Sequence, residues 1–126
     1  MKIQDACKVL GESGCAGFAF MYVIGKDPLL LVKDLGTLID KNIIAKNATI
    51  KDYVGLAKFY PVNASVTSKK PDEYVGGQMY LGHFKRNGYE HFVAMKDGKV
   101  VFNSLEYSYC VELGELADIR VVTILE

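Results

Sequence analysis

His91-Phe92-Val93-Ala94-Met95-Lys96-Asp97-Gly98-Lys99-Val100-Val101-Phe102-Asn103 is two β-branched and aromatic runs broken at Asp97-Gly98, the signature of a β-hairpin. Its register decides which side chains meet. A two-residue Asp97-Gly98 loop would pair Lys96 with Lys99 and leave His91 and Asn103 on opposite faces. A three-residue Lys96-Asp97-Gly98 loop, with Gly98 left-handed in a G1 bulge, pairs Met95 with Lys99 and therefore His91 with Asn103. That second register collects Phe92, Ala94, Val100 and Phe102 on one apolar face and His91 and Asn103 on the other, so it is the expected one. Asn103 then accepts the ring N–H of His91 and fixes its tautomer.

Outward from the hairpin, Gln78 to Leu81, Tyr107 to Leu113 and Ile119 to Leu125 read as further strands after Gly76-Gly77. Upstream the period is helical. Ile3, Ala6, Cys7 and Leu10 recur at helical spacing, and Cys15 to Ile24 is apolar all round, as in a helix buried mid-domain. Gly25-Lys26-Asp27-Pro28 stops it. Leu29 to Lys41 and Thr49 to Phe59 read as amphipathic helices, the second with a Thr49 cap, and polar residues 62 to 74 read as a surface loop. The expected fold is α+β, with N-terminal helices packed on a C-terminal antiparallel sheet in a single domain, 1–126.

Composition sets limits on function. Of 126 residues, 50% are hydrophobic and 24% charged, which fits one globular core and excludes disorder. Fifteen basic residues balance fifteen acidic ones without a basic cluster, so no nucleic acid is expected as partner. The sequence has no visible signal segment and no apolar run of spanning length, which predicts no membrane association and a cytoplasmic location. Three cysteines, Cys7, Cys15 and Cys110, are an odd number and are expected as reduced thiols. The spacings Cys7 to Cys15 and His83 to His91 do not match paired zinc ligands, and no metal or cofactor is expected.

Cys15 heads the buried helix, where the positive end of the helix dipole and unpaired amides favour a thiolate. With His91 as base and Asn103 as its orienter, it completes a nucleophile, base and orienter set. Gly14 and Gly17 leave room for a substrate backbone. The Cys15 amide is the natural oxyanion donor, with Ser13, Gln4 and Gln78 as candidates for a second. His83, beside Phe84-Lys85-Arg86, reads as a structural residue at a loop edge.

Gly14-Cys15-Ala16-Gly17-Phe18 resembles the D-C-S-G-F segment of NlpC-type cell-wall endopeptidases, which are papain-like. Gly77-Gln78-Met79-Tyr80-Leu81 is similar to that family's G-D-L-V-F strand. His91-Phe92-Val93-Ala94-Met95, Asp97-Gly98 and Asn103 resemble its H-V-G-I-Y, D-G and third-polar-residue pattern. The chain is also similar to the papain-like peptidases that trim bacteriocin leaders, and to short bacterial and phage proteins with the same hairpin. The resemblance covers about residues 12 to 26 and 76 to 104. It implies a papain-like cysteine peptidase or amidase that attacks a peptide or peptidoglycan-like amide through an acyl-thioester, with Cys15 as nucleophile, His91 as base and Asn103 as orienter. Gly14 and Ala16 replace the family's Asp and Ser. These departures, and the lack of an export signal, argue against a wall enzyme more than against the papain-like plan. The alternative is a catalytically inactive peptide-binding or interaction module on the same fold.

Overall fold

Asn87-Gly88 and Asp97-Gly98 carry the sheet's two tight turns, and all four residues have positive φ (49°, 85°, 52° and 77°). Two consecutive left-handed residues match the right-handed twist of the flanking strands, so each turn closes a two-residue hairpin. A computed structural model describes residues 2, 14–73, 76–105 and 108–125. In chain order come α1 (Cys15–Val23), α2 (Leu30–Asp40), α3 (Tyr53–Phe59) and β1 (Ala64–Lys69). A short 3-10 turn, Pro71–Glu73, precedes β2 (Met79–Arg86), β3 (Tyr89–Lys96), β4 (Lys99–Phe102), α4 (Tyr109–Leu113) and β5 (Glu115–Ile124). The architecture is α+β. The strands form one five-stranded antiparallel sheet in the order β1-β5-β2-β3-β4.

Each face of the sheet is covered by different elements. Seen in sequence, α1 has no polar stripe, and it is buried along its length except at Tyr22, whose ring stacks on Phe102 at 4.9 Å. It lies with α2 and α3 on the face that carries Leu81, Phe92, Ala94 and Val122. Leu31 and Leu38 of α2 complete that core, with Leu35 packed at its margin. The opposite face carries Tyr80, Phe84, Val93, Met95 and Ile119, and is covered by Cys110 and Val111 of α4. Among the described residues no helix is long and apolar enough to cross a membrane.

Four local expectations are corrected, each for a physical reason. Residues 64 to 69 are an edge strand paired to β5 from Ala64↔Ile124 to Lys69↔Ile119, where β-branched Val66 and Thr67 fit a half-exposed pleat. Tyr109–Leu113 is helical because the apolar underside of the sheet needs a lid, and one helical turn lays Cys110 on it while Tyr109 and Leu113 stay exposed. The α3 helix starts at Tyr53, capped by Asp52, whose carboxylate accepts from the Gly55 amide at 2.9 Å. Thr49 cannot cap it, because Ala45 N–H binds the Thr49 carbonyl at 2.8 Å and Ile44 bridges Ile50 in a tight turn.

The fourth correction concerns the β3-β4 register. Lys96 pairs with Lys99, so the turn is the two-residue loop and not the bulged three-residue one. The bulge lies further along. Met95 faces Val100 but Ala94 faces Phe102, so Val101 is the extra residue, and it shifts Asn103 back to the side of His91. The stretch Ile3 to Leu10, read as helical, lies outside the described residues.

Two glycines give opposite expectations. A Cβ on Gly114 would collide with the backbone carbonyl oxygens of Cys110 and Lys85, whereas one on Gly36, exposed on α2, would meet nothing within 4 Å. Gly114→Ala is therefore expected to destabilise by about 1–3 kcal/mol through overpacking. Gly36→Ala should instead stabilise by roughly 0.5–1 kcal/mol through lost chain entropy. Urea unfolding of both variants checks the pair. Asp52→Ala should cost about 1 kcal/mol by the same measurement, as loss of the α3 cap.

Candidate functional site

Cys15 is the first residue of α1, and its burial is that of a side chain at the bottom of a cleft, with 6% exposure. A cavity of about 380 Å³ opens at this helix end, against the part of the sheet where β2, β3 and β5 lie side by side. Cys15, Tyr53, His83, Glu90, Phe92 and Arg120 line it, with the Asn87-Gly88 turn at its rim. The sheet supplies four of these, His83, Glu90, Phe92 and Arg120, from one face. His83 pairs across with Phe92, and Leu81, two residues before His83 on the same face, pairs with Arg120.

His83 is buried and held from two sides. Its Nδ1 lies 2.9 Å from Asp118 Oδ2 and its Nε2 lies 3.2 Å from Glu90 Oε1. The ring stacks flat on Phe92, with centroids 4.3 Å apart and planes 2° from parallel. Asp118 meets His83 because of a bulge in β5. Lys85 pairs with Glu115 and Phe84 with Leu116, but His83 pairs with Asp118, so Ala117 is the inserted residue. Without it Ala117 would face His83 and the carboxylate would point to the other side. Glu90 is a different kind of partner: its side chain is 54% exposed and is shared with Lys85, 3.6 Å away.

Arg120 lies beside this cluster. Its Nη1 donates to the Tyr53 hydroxyl at 2.6 Å, and the guanidinium lies 4.8 Å from the Phe92 ring centroid and 5.6 Å from that of Tyr53. Burial raises the Tyr53 hydroxyl above its ordinary pKa, against the pull of Arg120 in the other direction. The hydroxyl therefore stays protonated at neutral pH. Phe20 of α1 meets the Tyr53 ring edge-on at 5.1 Å and ties α3 to the floor of the site.

Of the residues expected to act together, Cys15 is in the cavity but His91 and Asn103 are not. Side chains alternate along β3, so Phe92 on the α1 side puts His91 on the α4 side, with Phe84 and Val93. His91 and Asn103 do meet, Nε2 donating to Oδ1 at 2.7 Å, and the Leu105 amide donates to the same oxygen at 2.9 Å. Their pairing closes the underside of the sheet. Gln78 is exposed just before β2, at the strand end remote from His83. Gly14 is buried at the head of α1, while Gly17 faces Leu31 so closely that it serves helix packing and offers no room to a substrate. Ser13, like Gln4 and Cys7, lies outside the described residues. Cys15 and Cys110 are thiols on opposite sides of the sheet.

The residue that sequence reasoning misplaced is His83. The signal was present in Asn87-Gly88, a strong two-residue turn that extends β2 through Arg86↔Tyr89 and so sets His83 opposite Phe92, on the helix-covered face.

His91 also gives a pH dependence. Burial lowers its pKa from 6.5, and the hydrogen bond to Asn103 only partly opposes that. The unfolded chain then binds more protons than the folded one just below pH 6.5. His91 thus contributes stability above that pH, and the contribution is lost as pH falls through 6.5 toward the lower folded value. Urea midpoints compared at pH 7.5 and 5.5 should fall less on acidification in His91→Gln than in the unaltered chain.

No protein-family model matches the chain, and no curated protein and no solved structure is significantly similar to it.

Proposed function

We propose that the chain is a cysteine-dependent hydrolase of peptide or related amide bonds on a papain-like plan, with Cys15 as nucleophile, His83 as base and Asp118 as the residue that orients it. The observation that carries this reading is the shared cavity. A thiol at a helix start and an imidazole whose Nδ1 is held by a carboxylate at 2.9 Å line one 380 Å³ space. The roles are those the sequence assigned to Cys15, His91 and Asn103, moved to the pair on the α1 side of the sheet.

In this reading Asp118 accepts the Nδ1 proton of His83, which leaves Nε2 as the basic nitrogen. Nε2 takes the Cys15 proton, and the sulfur attacks the amide carbonyl carbon. The resulting oxyanion lies by the amides at the start of α1. Collapse to the thioester expels the amine, which receives its proton from His83. Water activated by the same nitrogen then releases the acid and restores the thiol. Nε2 lies 3.2 Å from the Glu90 carboxylate, a contact that needs a proton on that nitrogen, so before the first step Glu90 swings off the ring and the Nε2 proton passes to water. Its solvent exposure at the start of β3 permits that.

The same contact favours a second reading, a peptide-binding module in which His83 stays locked between two carboxylates and Cys15 is inert. Thiol chemistry separates the two. Peptide-resolved alkylation by iodoacetamide at pH 7 should modify Cys15 faster than cysteine in solution, and His83→Gln should slow it by about 10²-fold, the usual scale of general-base assistance. His91→Gln should leave the rate unchanged, and Glu90→Gln should raise it. A Cys15 rate that does not respond to His83→Gln or to Glu90→Gln would leave the binding module as the better reading.

A further inference from the structure

The guanidinium of Arg120 is not needed by the Cys15, His83 and Asp118 chemistry, yet it is fixed in the same cavity. Among the described residues its polar partner is the Tyr53 hydroxyl, and no carboxylate lies in ion-pair range of it. The two carboxylates nearest the site, Asp118 and Glu90, are both turned to His83, and Glu90 also to Lys85. Tyr53 takes one of five N–H donors, and the rings of Tyr53 and Phe92 hold the plane of the fork without neutralising it. A half-buried, oriented guanidinium with donors to spare is a site for an anion of matching planar geometry. We infer that Arg120, positioned by Tyr53 and Phe92, binds a carboxylate of the substrate close to the scissile amide, so that the enzyme selects acidic peptides or chain ends.

This specificity rests on the hydrolase reading for its use but not for its existence, and the test treats the two separately. The first arm compares alkylation of Cys15 by iodoacetate and by iodoacetamide, a charged and a neutral reagent that both form the S–C bond with loss of iodide. The iodoacetate-to-iodoacetamide rate ratio should exceed that of cysteine in solution and fall about tenfold or more in Arg120→Gln, the scale of a lost charge-assisted pair. Arg120→Lys should recover part of it. A ratio that Arg120→Gln leaves unaltered, both rates falling together, overturns the inference and makes Arg120 a support of the thiolate.

The second arm needs no reactive thiol. In Cys15→Ser protein, N-acetylalanine is compared with its amide, and N-acetylglutamate α-amide with its glutamine counterpart, by NMR titration. Binding of a carboxylate-bearing probe that Arg120→Gln abolishes supports the site, and which probe binds tells a chain end from an acidic side chain. Failure of both carboxylates to bind overturns it. A Cys15 inert to iodoacetamide would remove the hydrolase reading, and the titration would still decide the anion site.

Discussion

Alternation of side chains across a pleated sheet governs this molecule, because one inserted residue moves every later side chain to the other face. Two insertions do so here. Ala117 in β5 puts Asp118 opposite His83, and Val101 in β4 puts Asn103 on the side of His91. Two imidazoles on neighbouring strands, facing opposite sides of one sheet, each gain an oxygen partner in this way. One shares an open cavity with Cys15 and the other is buried on the α4 side. Which histidine shares a site with the thiol was therefore decided by strand pairing, before any question of intrinsic reactivity.

The two imidazoles have different surroundings. His91 has a neutral amide as partner, so desolvation dominates and its charged form is disfavoured. His83 is equally buried but sits between two carboxylates, on the flat face of Phe92. On the Cys15 side of the cavity, the start of α1 presents amide groups and the positive end of its dipole.

Much of this was legible in the sequence. The α+β order, the buried α1 with Cys15 at its head, the extent of α2 and the Asp97-Gly98 hairpin all follow from periodicity and turn chemistry. The meeting of His91 with Asn103 was also anticipated, although by a bulge placed in the turn when it lies at Val101. What could not be read was any feature set by distant pairing. No local pattern marks Ala117 as an insertion, so nothing in Leu116-Ala117-Asp118 tells which face the carboxylate takes. Tyr109–Leu113 has strand-like composition, and only the bare underside of the sheet explains why it coils into a helix. Ala64–Lys69 is the converse case, a polar segment made a strand by an open edge of β5.

The cavity joins a rigid part to a less supported one. Cys15 is fixed by a helix buried in the core, and His83 and Arg120 by backbone paired on both sides, while Asp118 is paired with β2 next to the last β1 partner, Ile119. Glu90 and Tyr89 stand at the start of β3, where β2 is the paired neighbour and β4, whose pairing ends at Ala94↔Phe102, gives no second ladder. His83 and Arg120 are thus on doubly held backbone, and Glu90 is not. That division also explains how His83 can have two partners of different character. Asp118 is locked by the bulge and sets the ring's orientation, while Glu90 is half in water, shared with Lys85, and held by a contact of the kind that solvent largely offsets. Exchange of Glu90 for an incoming polar group therefore costs little, whereas exchange of Asp118 would require the β5 bulge itself to be undone.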